Sequence, residues 1–338
     1  MEQYVLWINL FSLLIFLMLY KKKKIITSKL NLVDRPDKNI KKHKKETSLI
    51  GGLLIFSCLL YLIIVDKLFN INPNFIFKII IILIPIFFIG MLDDIYNINP
   101  NTRLLTLSFL ILLFLYSNQE FLLKQLYFDD FKKIYLLNNF SSFFITTLCM
   151  LLLINAFNMS DGINGLAHSI SIIWIGILIV LFNLNITFYF ISLIIFLSFI
   201  LNYKGKYFLG NSGSLLLSSF IGLTTIYLYN TGINSKDIQS VEKIILIFLI
   251  PGLDMLRLFI FRIAKNKNPF FGDRNHFHHY LIKKMDLYKT ILVYLLLILW
   301  PIIFIFFYKI KYLFIFALQS MIFFFLVSYF KNKKKLKN

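Results

Sequence analysis

Residues 76–94 read IFKIIIILIPIFFIGMLDD, an apolar run interrupted by one lysine and one proline that ends on two adjacent carboxylates, Asp93 and Asp94. Crossing a hydrocarbon core about 30 Å thick takes roughly 20 mostly apolar residues in a helix, so the stretch reads as a transmembrane span with acids at its end. The pattern recurs along the 338-residue chain, which is 59% hydrophobic and holds 39 Phe, a composition that no water-facing globular surface accommodates. Outward from this stretch, spans are expected near residues 3–20, 49–66, 76–92, 103–117, 142–158, 163–183, 186–203, 213–232, 242–263, 289–308 and 311–330. The fold expected is all-α: a polytopic transmembrane helical bundle of about 11 spans, one integral membrane domain over residues 1–338. The first run has neither a basic leader nor a small-residue cleavage site and is expected to stay as a helix.

Basic residues orient the bundle by the positive-inside rule. With the N-terminus outside, 27 of the 36 Lys and Arg fall on the cytoplasmic side, so an outer N-terminus and a cytoplasmic C-terminus are expected. Three cytoplasmic segments result: a basic loop over 21–48, a histidine-rich loop over 264–288 and a basic tail over 331–338. Lys21–Lys24 and Lys333–Lys335 would then meet anionic lipid headgroups. The +20 formal charge does not point to nucleic acid, because no basic stretch alternates with aromatics outside the apolar runs as a stacking platform requires. Cys58 and Cys149 sit inside apolar runs and are expected to pack as small hydrophobes.

Four polar clusters emerge on the expected cytoplasmic face. Asp93 and Asp94 stand at the C-terminal end of a helix, where the macrodipole disfavours negative charge. They call for a cation, and oxygen-only ligation suits Mg²⁺ with substrate phosphates completing its shell. Asn155, Asn158, Asp161 and Asn164, with Gly162 and Gly165, join two helices and offer amides and an acid to a base or sugar, beyond ordinary turn chemistry. Gly210-Asn211-Ser212-Gly213-Ser214 opens a span, so its amides and hydroxyls make either an anion site or a plain N-cap. Asp273-Arg274-Asn275-His276-Phe277-His278-His279 holds three of the five histidines. Zn²⁺ and a diphosphate both remain open as its ligand. Asp254 is the one acid well inside a long span, and no internal repeat supports a transporter with a midplane site. A site at the membrane surface implies one lipid and one cytosolic substrate.

In this order the clusters resemble the polyprenyl-phosphate N-acetylhexosamine-1-phosphate transferases (glycosyltransferase family 4), in particular the UDP-N-acetylglucosamine:undecaprenyl-phosphate branch. The likeness runs from Asp34-Arg-Pro36 through His43-Lys44-Lys45 to Gly51-Gly52, then Gly90-Met-Leu-Asp93-Asp94, Asn155 to Leu166, Phe208 to Ser214, Pro251-Gly-Leu-Asp254, and Asn268-Pro269-Phe270 to His279. The related phospho-N-acetylmuramoyl-pentapeptide transferases share the paired aspartates and histidines, but their Gly-Thr-Pro-Thr run before the glycine pair is not seen. The chain departs from the pattern at Asn211, where most members carry Asp, at Asn164, where many do, and at Glu46 and Ser48, which replace prolines.

The resemblance implies ten or eleven helices with a cytoplasmic cleft, in a bacterial plasma (inner) membrane. It implies transfer of N-acetylhexosamine 1-phosphate from a UDP-sugar to undecaprenyl phosphate, with release of UMP, at the start of a cell-wall or O-antigen glycan. Asp93 and Asp94 would be catalytic and, with Asn211, would hold Mg²⁺ (Mn²⁺ being the alternative). Lys45, Arg103, Asn155, Asn158, Asp161, Asn164, Arg274, His276, His278 and His279 would bind substrates. Membrane lipid is an implied partner, and a homodimer is compatible with the resemblance. The rival readings are a transporter or flippase of lipid-linked sugars and a catalytically silent member that binds polyprenyl phosphate.

Overall fold

The computed structural model describes residues 2–35, 46–68, 75–233, 240–269, 273–308 and 310–332. Lys45 lies outside the described residues, as do Pro36, His43, Lys44, Phe270 and the tail lysines Lys333, Lys334 and Lys335. Helices dominate, at 78%. They are α1 (Glu2–Lys21), α2 (Lys23–Leu30), α3 (Gly51–Leu68), α4 (Phe75–Tyr96), α5 (Pro100–Ser117), α6 (Asn139–Ser160), α7 (Leu166–Phe182), α8 (Ile186–Tyr203), α9 (Gly210–Ile233), α10 (Val241–Ile263), α11 (Phe277–Ile282), α12 (Leu287–Phe307) and α13 (Tyr312–Asn332).

Each span read from the sequence falls on one of these helices. Among the described residues nine are long and apolar enough to cross a membrane, while the apolar stretch Asn9–Lys21 of α1 and all of α7 are shorter. The all-α expectation omitted two short antiparallel pairs: β1 (Val33–Asp34) with β2 (Thr47–Ser48), and β3 (Gln125–Phe128) with β4 (Lys133–Leu136).

Local chemistry sets the helix ends. Pro100 sits in the first turn of α5, where its missing N–H costs nothing, and the Asn99 side chain accepts the Asn101 amide at 3.0 Å. Asn138 caps α6 in the same way through Ser141 at 2.8 Å. Asn31 and Asn183 close α2 and α7 in the left-handed region, which Asn tolerates better than most residues.

The chain packs as two compact units, residues 1–121 with 164–228 and residues 122–163 with 229–338. In the first, α3 packs against α1, α4 and α8, α7 lies on α8, and α5 lies on α4. Phe16, Ile76, Leu83, Trp174 and Phe220 are buried in it. In the second, α10 packs against α6, α12 and α13, and Leu246, Leu249, Tyr312 and Ile315 form a buried cluster bordered by Trp300. The β3–β4 hairpin belongs to this unit. The Tyr229 hydroxyl accepts the Tyr127 amide at 2.8 Å, and the Asp130 carboxylate receives the first amides of α13, from Tyr312 and Leu313, at 2.9 and 2.7 Å.

Helix α9 is buried along nearly its whole length. Its sequence is rich in Gly, Ser and Thr, the residues that let helix backbones approach closely where lipid offers no hydrophobic drive to association. The approach is closest at its start. A Cβ on Gly90 of α4 would lie 2.5 Å from Ser212 Cα, and one on Gly51 of α3 would lie 2.7 Å from the Phe208 carbonyl oxygen. The glycines therefore set the helix spacing around residues 208–213.

Candidate active site

In the first unit, α4 delivers Asp93 and Asp94 to the start of α9. The Asp94 carboxylate accepts the Asn211 amide at 2.6 Å, the Ser212 amide at 3.0 Å and the Ser212 hydroxyl at 2.7 Å. Asp94 thus caps α9 from another helix. The positive end of the α9 dipole compensates a charge that the end of α4 disfavours. Gly210, at φ +77, makes the turn possible, and a Cβ there would sit 2.6 Å from Asp94 Oδ2. The anion at this helix N-terminus is therefore the chain's own side chain.

Asp93 is 3% exposed and pairs through Oδ2 with Arg103 Nη1 at 2.6 Å. Its second oxygen, Oδ1, accepts no hydrogen bond among the described residues, and the buried Arg103 Nε likewise has no partner. These observations bear on a cation. Among the described residues no three His, Cys, Asp or Glu side chains gather as a ligand set. Adjacent carboxylates with oxygen capacity to spare nevertheless fit a hard cation such as Mg²⁺, which commonly takes one or two carboxylates and leaves the rest of its shell to phosphates and water.

Asn164 also belongs to this unit but not to this group; its Nδ2 lies beside Gly205. The next residue, Gly165, is left-handed at φ +84, and its amide donates to Asn202 Oδ1.

In the second unit, the buried Asp254 of α10 repeats the device. Its oxygens accept the Phe277 amide at 3.1 and 3.2 Å, at the start of α11, and they also take Arg257 Nη2 at 2.7 Å and His276 Nδ1 at 2.9 Å. Arg257 reaches on to the Asn275 carbonyl at 2.6 Å. Arg262 donates to Asp273 at 3.0 Å and to the Pro269 carbonyl at 2.7 Å. Against its own burial, which raises it, Arg262 and the Asn275 amide hold the Asp273 carboxyl below its usual value. The histidine segment is thus fixed to the end of α10 at several points.

The histidine rings stack, His276 on His278 with centroids 5.5 Å apart and His278 near His279 at 4.2 Å. His278 is 1% exposed and, among the described residues, neither ring nitrogen has a hydrogen-bond partner. Its Nε2 occupies the space that a Cβ on Gly162 would need, so the Asp161–Gly162 turn and the histidine segment meet within this unit. Burial, then His279 and His276, push His278 well below the ordinary imidazole range. Burial, then His276 and Arg274, push His279 down to about 4. Both rings are therefore held toward the neutral form near pH 7. Asn155 donates to the Leu151 carbonyl at 2.7 Å, and the Asn158 carbonyl accepts the Asp161 amide at 3.2 Å.

In the sequence Asp254 stands out as the one acid well inside a long span, while Arg257, Arg262 and Asn202 carry no such mark. The i, i+3 spacing of Asp254 and Arg257 was the one available signal.

Residues 76–229 match the family model for glycosyl transferase family 4. The chain is 26% identical over 273 residues to an undecaprenyl-phosphate alpha-N-acetylglucosaminyl 1-phosphate transferase of Thermotoga maritima, covering 80% of this chain and 79% of that one. Proteins of the same name from Yersinia pestis and Escherichia coli K12 are 33% and 32% identical over 143 and 154 residues. Those alignments cover 38% and 42% of this chain, and 38% and 41% of the respective relatives.

Proposed function

We propose that this chain, whose residues 76–229 match the model for glycosyl transferase family 4, transfers N-acetylhexosamine 1-phosphate from a UDP-sugar to undecaprenyl phosphate, releasing UMP and starting a lipid-linked cell-envelope glycan. One observation carries the reading. The segment that matches the family, 76–229, contains the whole first cluster: Asp93, Asp94, Arg103, Asn211 and Ser212.

An oxygen of the acceptor phosphate attacks the sugar-linked phosphorus. The bond from that phosphorus to the UMP oxygen breaks, and its electron pair leaves with UMP. Both reactants are anions, so catalysis rests on alignment and charge compensation. Asp93, steadied by Arg103, keeps Oδ1 to orient the acceptor phosphate or take its proton. Asp94, tied to two backbone amides, is the fixed member of the pair. Mg²⁺, with Mn²⁺ as the alternative, would be held by Asp93, Asp94 and the side-chain oxygen of Asn211, and when bound it neutralises phosphate charge.

Asn155, Asn158, Asp161 and Asn164 would border the uridine. Lys45 and Arg274 would meet phosphate oxygens, and His278 and His279, being neutral, would offer hydrogen bonds rather than charge. The topology that goes with this is eleven spans in a bacterial inner membrane, with the N-terminus outside and the reaction at the cytoplasmic surface. Reporter fusions at the two termini test it, and equal signals from one compartment would refute it.

For the activity, membranes carrying the chain and given UDP-sugars labelled in the sugar are expected to accumulate label in undecaprenyl lipid and release one UMP per sugar, dependent on divalent cation. Movement of lipid-linked sugar across the membrane with no bond broken would overturn the proposal.

A further inference from the structure

Asn202, at the end of α8, is 2% exposed and both ends of its amide are engaged. Its Oδ1 accepts the Gly165 amide at 2.5 Å and its Nδ2 donates to the Tyr207 carbonyl at 2.9 Å. The two partners belong to two different segments. Gly165 follows Asn164 at the start of α7. Tyr207 begins the strip that leads into α9. The Phe208 amide donates to the Ser48 carbonyl at 2.8 Å, while the Phe208 and Leu209 carbonyls accept the Gly51 and Gly52 amides at 3.1 and 3.0 Å. Two residues further on, the Asn211 and Ser212 amides hold Asp94.

A second set of contacts closes a ring around this amide. The Tyr207 hydroxyl lies 2.7 Å from Ser198 Oγ, which lies 2.8 Å from His168 Nε2, and His168 stands one turn beyond Gly165 in α7. All four side chains, Asn202, Tyr207, Ser198 and His168, are buried. His168 Nδ1 has no partner among the described residues, but the polar atoms of Asn202, Tyr207 and Ser198 are all engaged, and buried groups so paired favour one geometry.

We infer that Asn202 is a positioning residue for the transfer reaction: one side chain fixes the Asn164–Gly165 turn and the Tyr207–Ser212 strip together, and so sets the place of Asp94 relative to the residue proposed to border the nucleotide. The inference rests on the proposed function. The acceptor and donor ends of the amide serve different segments, so they are separable by substitution. Asn202→Asp keeps an acceptor for the Gly165 amide but sets a carboxylate oxygen against the Tyr207 carbonyl. Asn202→Leu removes both bonds at similar volume.

The test uses the full-length chain in detergent or nanodiscs, with kinetics normalised to folded protein. Asn202→Leu is expected to lower kcat/KM on the order of 100-fold, the scale of a misplacement of about 1 Å at a reacting centre. Asn202→Asp is expected to lower kcat while leaving KM for the UDP-sugar within a factor of about three, since only the strip whose amides hold Asp94 is released. A purely structural role would reduce the amount of folded protein with kcat and KM unchanged in both variants, and that result overturns the inference. Hydrogen–deuterium exchange gives a readout independent of activity. In Asn202→Leu the peptides covering 165–166 and 207–212 are expected to exchange faster, and in Asn202→Asp only the second. Should the unaltered chain show no transfer, the proposed function fails, while the exchange pattern still decides whether Asn202 links the two segments; unchanged exchange in both peptides refutes it.

Discussion

The Asp94 carboxylate and Ser212 stand 118 residues apart in sequence, yet Asp94 Oδ2 accepts both the amide and the hydroxyl of Ser212, at 3.0 and 2.7 Å. One oxygen thereby ends α4 and begins α9. Ser212→Ala removes the hydroxyl bond and keeps the amide bond, and is expected to cost about 1 kcal/mol of stability with reduced transfer. Asp94→Asn weakens the whole cap, is expected to cost about 1–2 kcal/mol, and should abolish transfer. Thermal unfolding of the solubilised protein and label incorporation into lipid measure the two effects separately. A stable Asp94→Asn variant with full turnover would remove Asp94 from the site.

The Asp93–Arg103 pair is largely buried, so removing one partner strands the other charge. Asp93→Asn and Arg103→Met are each expected to destabilise by roughly 3–5 kcal/mol at most, with less where water reaches Arg103. The double variant Asp93→Asn/Arg103→Met is expected to recover much of that stability and none of the transfer. Recovery of activity in the double variant would show that the pair is only structural.

Glycine substitutions discriminate between close approach and open space. Gly90→Ala would place a methyl 2.5 Å from Ser212 Cα, and is expected to cost about 1–3 kcal/mol through separation of α4 from α9. Among the described residues, nothing lies within 4 Å of the same atom added to Gly176 in α7. Gly176→Ala is therefore expected to be neutral or to stabilise by up to about 1 kcal/mol, because alanine loses less backbone entropy in a helix. Equal unfolding temperatures for the two variants would contradict the close packing at residue 90.

The histidine rings give the second unit a pH dependence of definite sign. An imidazole buried in its neutral form has a folded pKa below its unfolded value, near 6.5, so the unfolded chain takes up the proton first as pH falls. For His279 the loss of stability begins near pH 6.5 and levels off near pH 4, the value to which burial and its neighbours lower it. His278 acts in the same direction and continues to lower pH. The unfolding temperature is expected to fall between pH 7 and pH 4.5, and His279→Gln is expected to flatten that slope. A steeper slope in the variant would reverse the assignment.

The membrane spans were legible because lipid imposes one simple demand, a long apolar helix, and sequence reports it directly. The β3–β4 hairpin was not, because its turn Asp129-Asp130-Phe131-Lys132 lacks glycine and puts Lys132 at φ +51, while its holding contacts come from distant parts of the chain, Glu242 accepting the Asp129 and Asp130 amides and Tyr312 donating its amide to Asp130. The residue types of the candidate site were visible as clusters, but their pairings were not. Nothing in the spacing of Asp94 and Ser212, or of Asp254 and Phe277, tells that an acid of one helix caps another. Asn202 was hidden for a further reason: a single buried amide between an apolar helix and two lysines looks like an ordinary helix end, and only its two partners reveal what it holds.

The serine- and glycine-rich composition that lets α9 fit its surroundings also leaves its mean hydropathy at 1.3, against 2.8 for α4. Ribosome and translocon would release it after α3 and α4, whose Gly51, Gly52 and Gly90 form its seat. The seat is thus synthesised before the helix that fills it, and a substitution at one of its glycines is felt as soon as α9 docks, before any substrate is met.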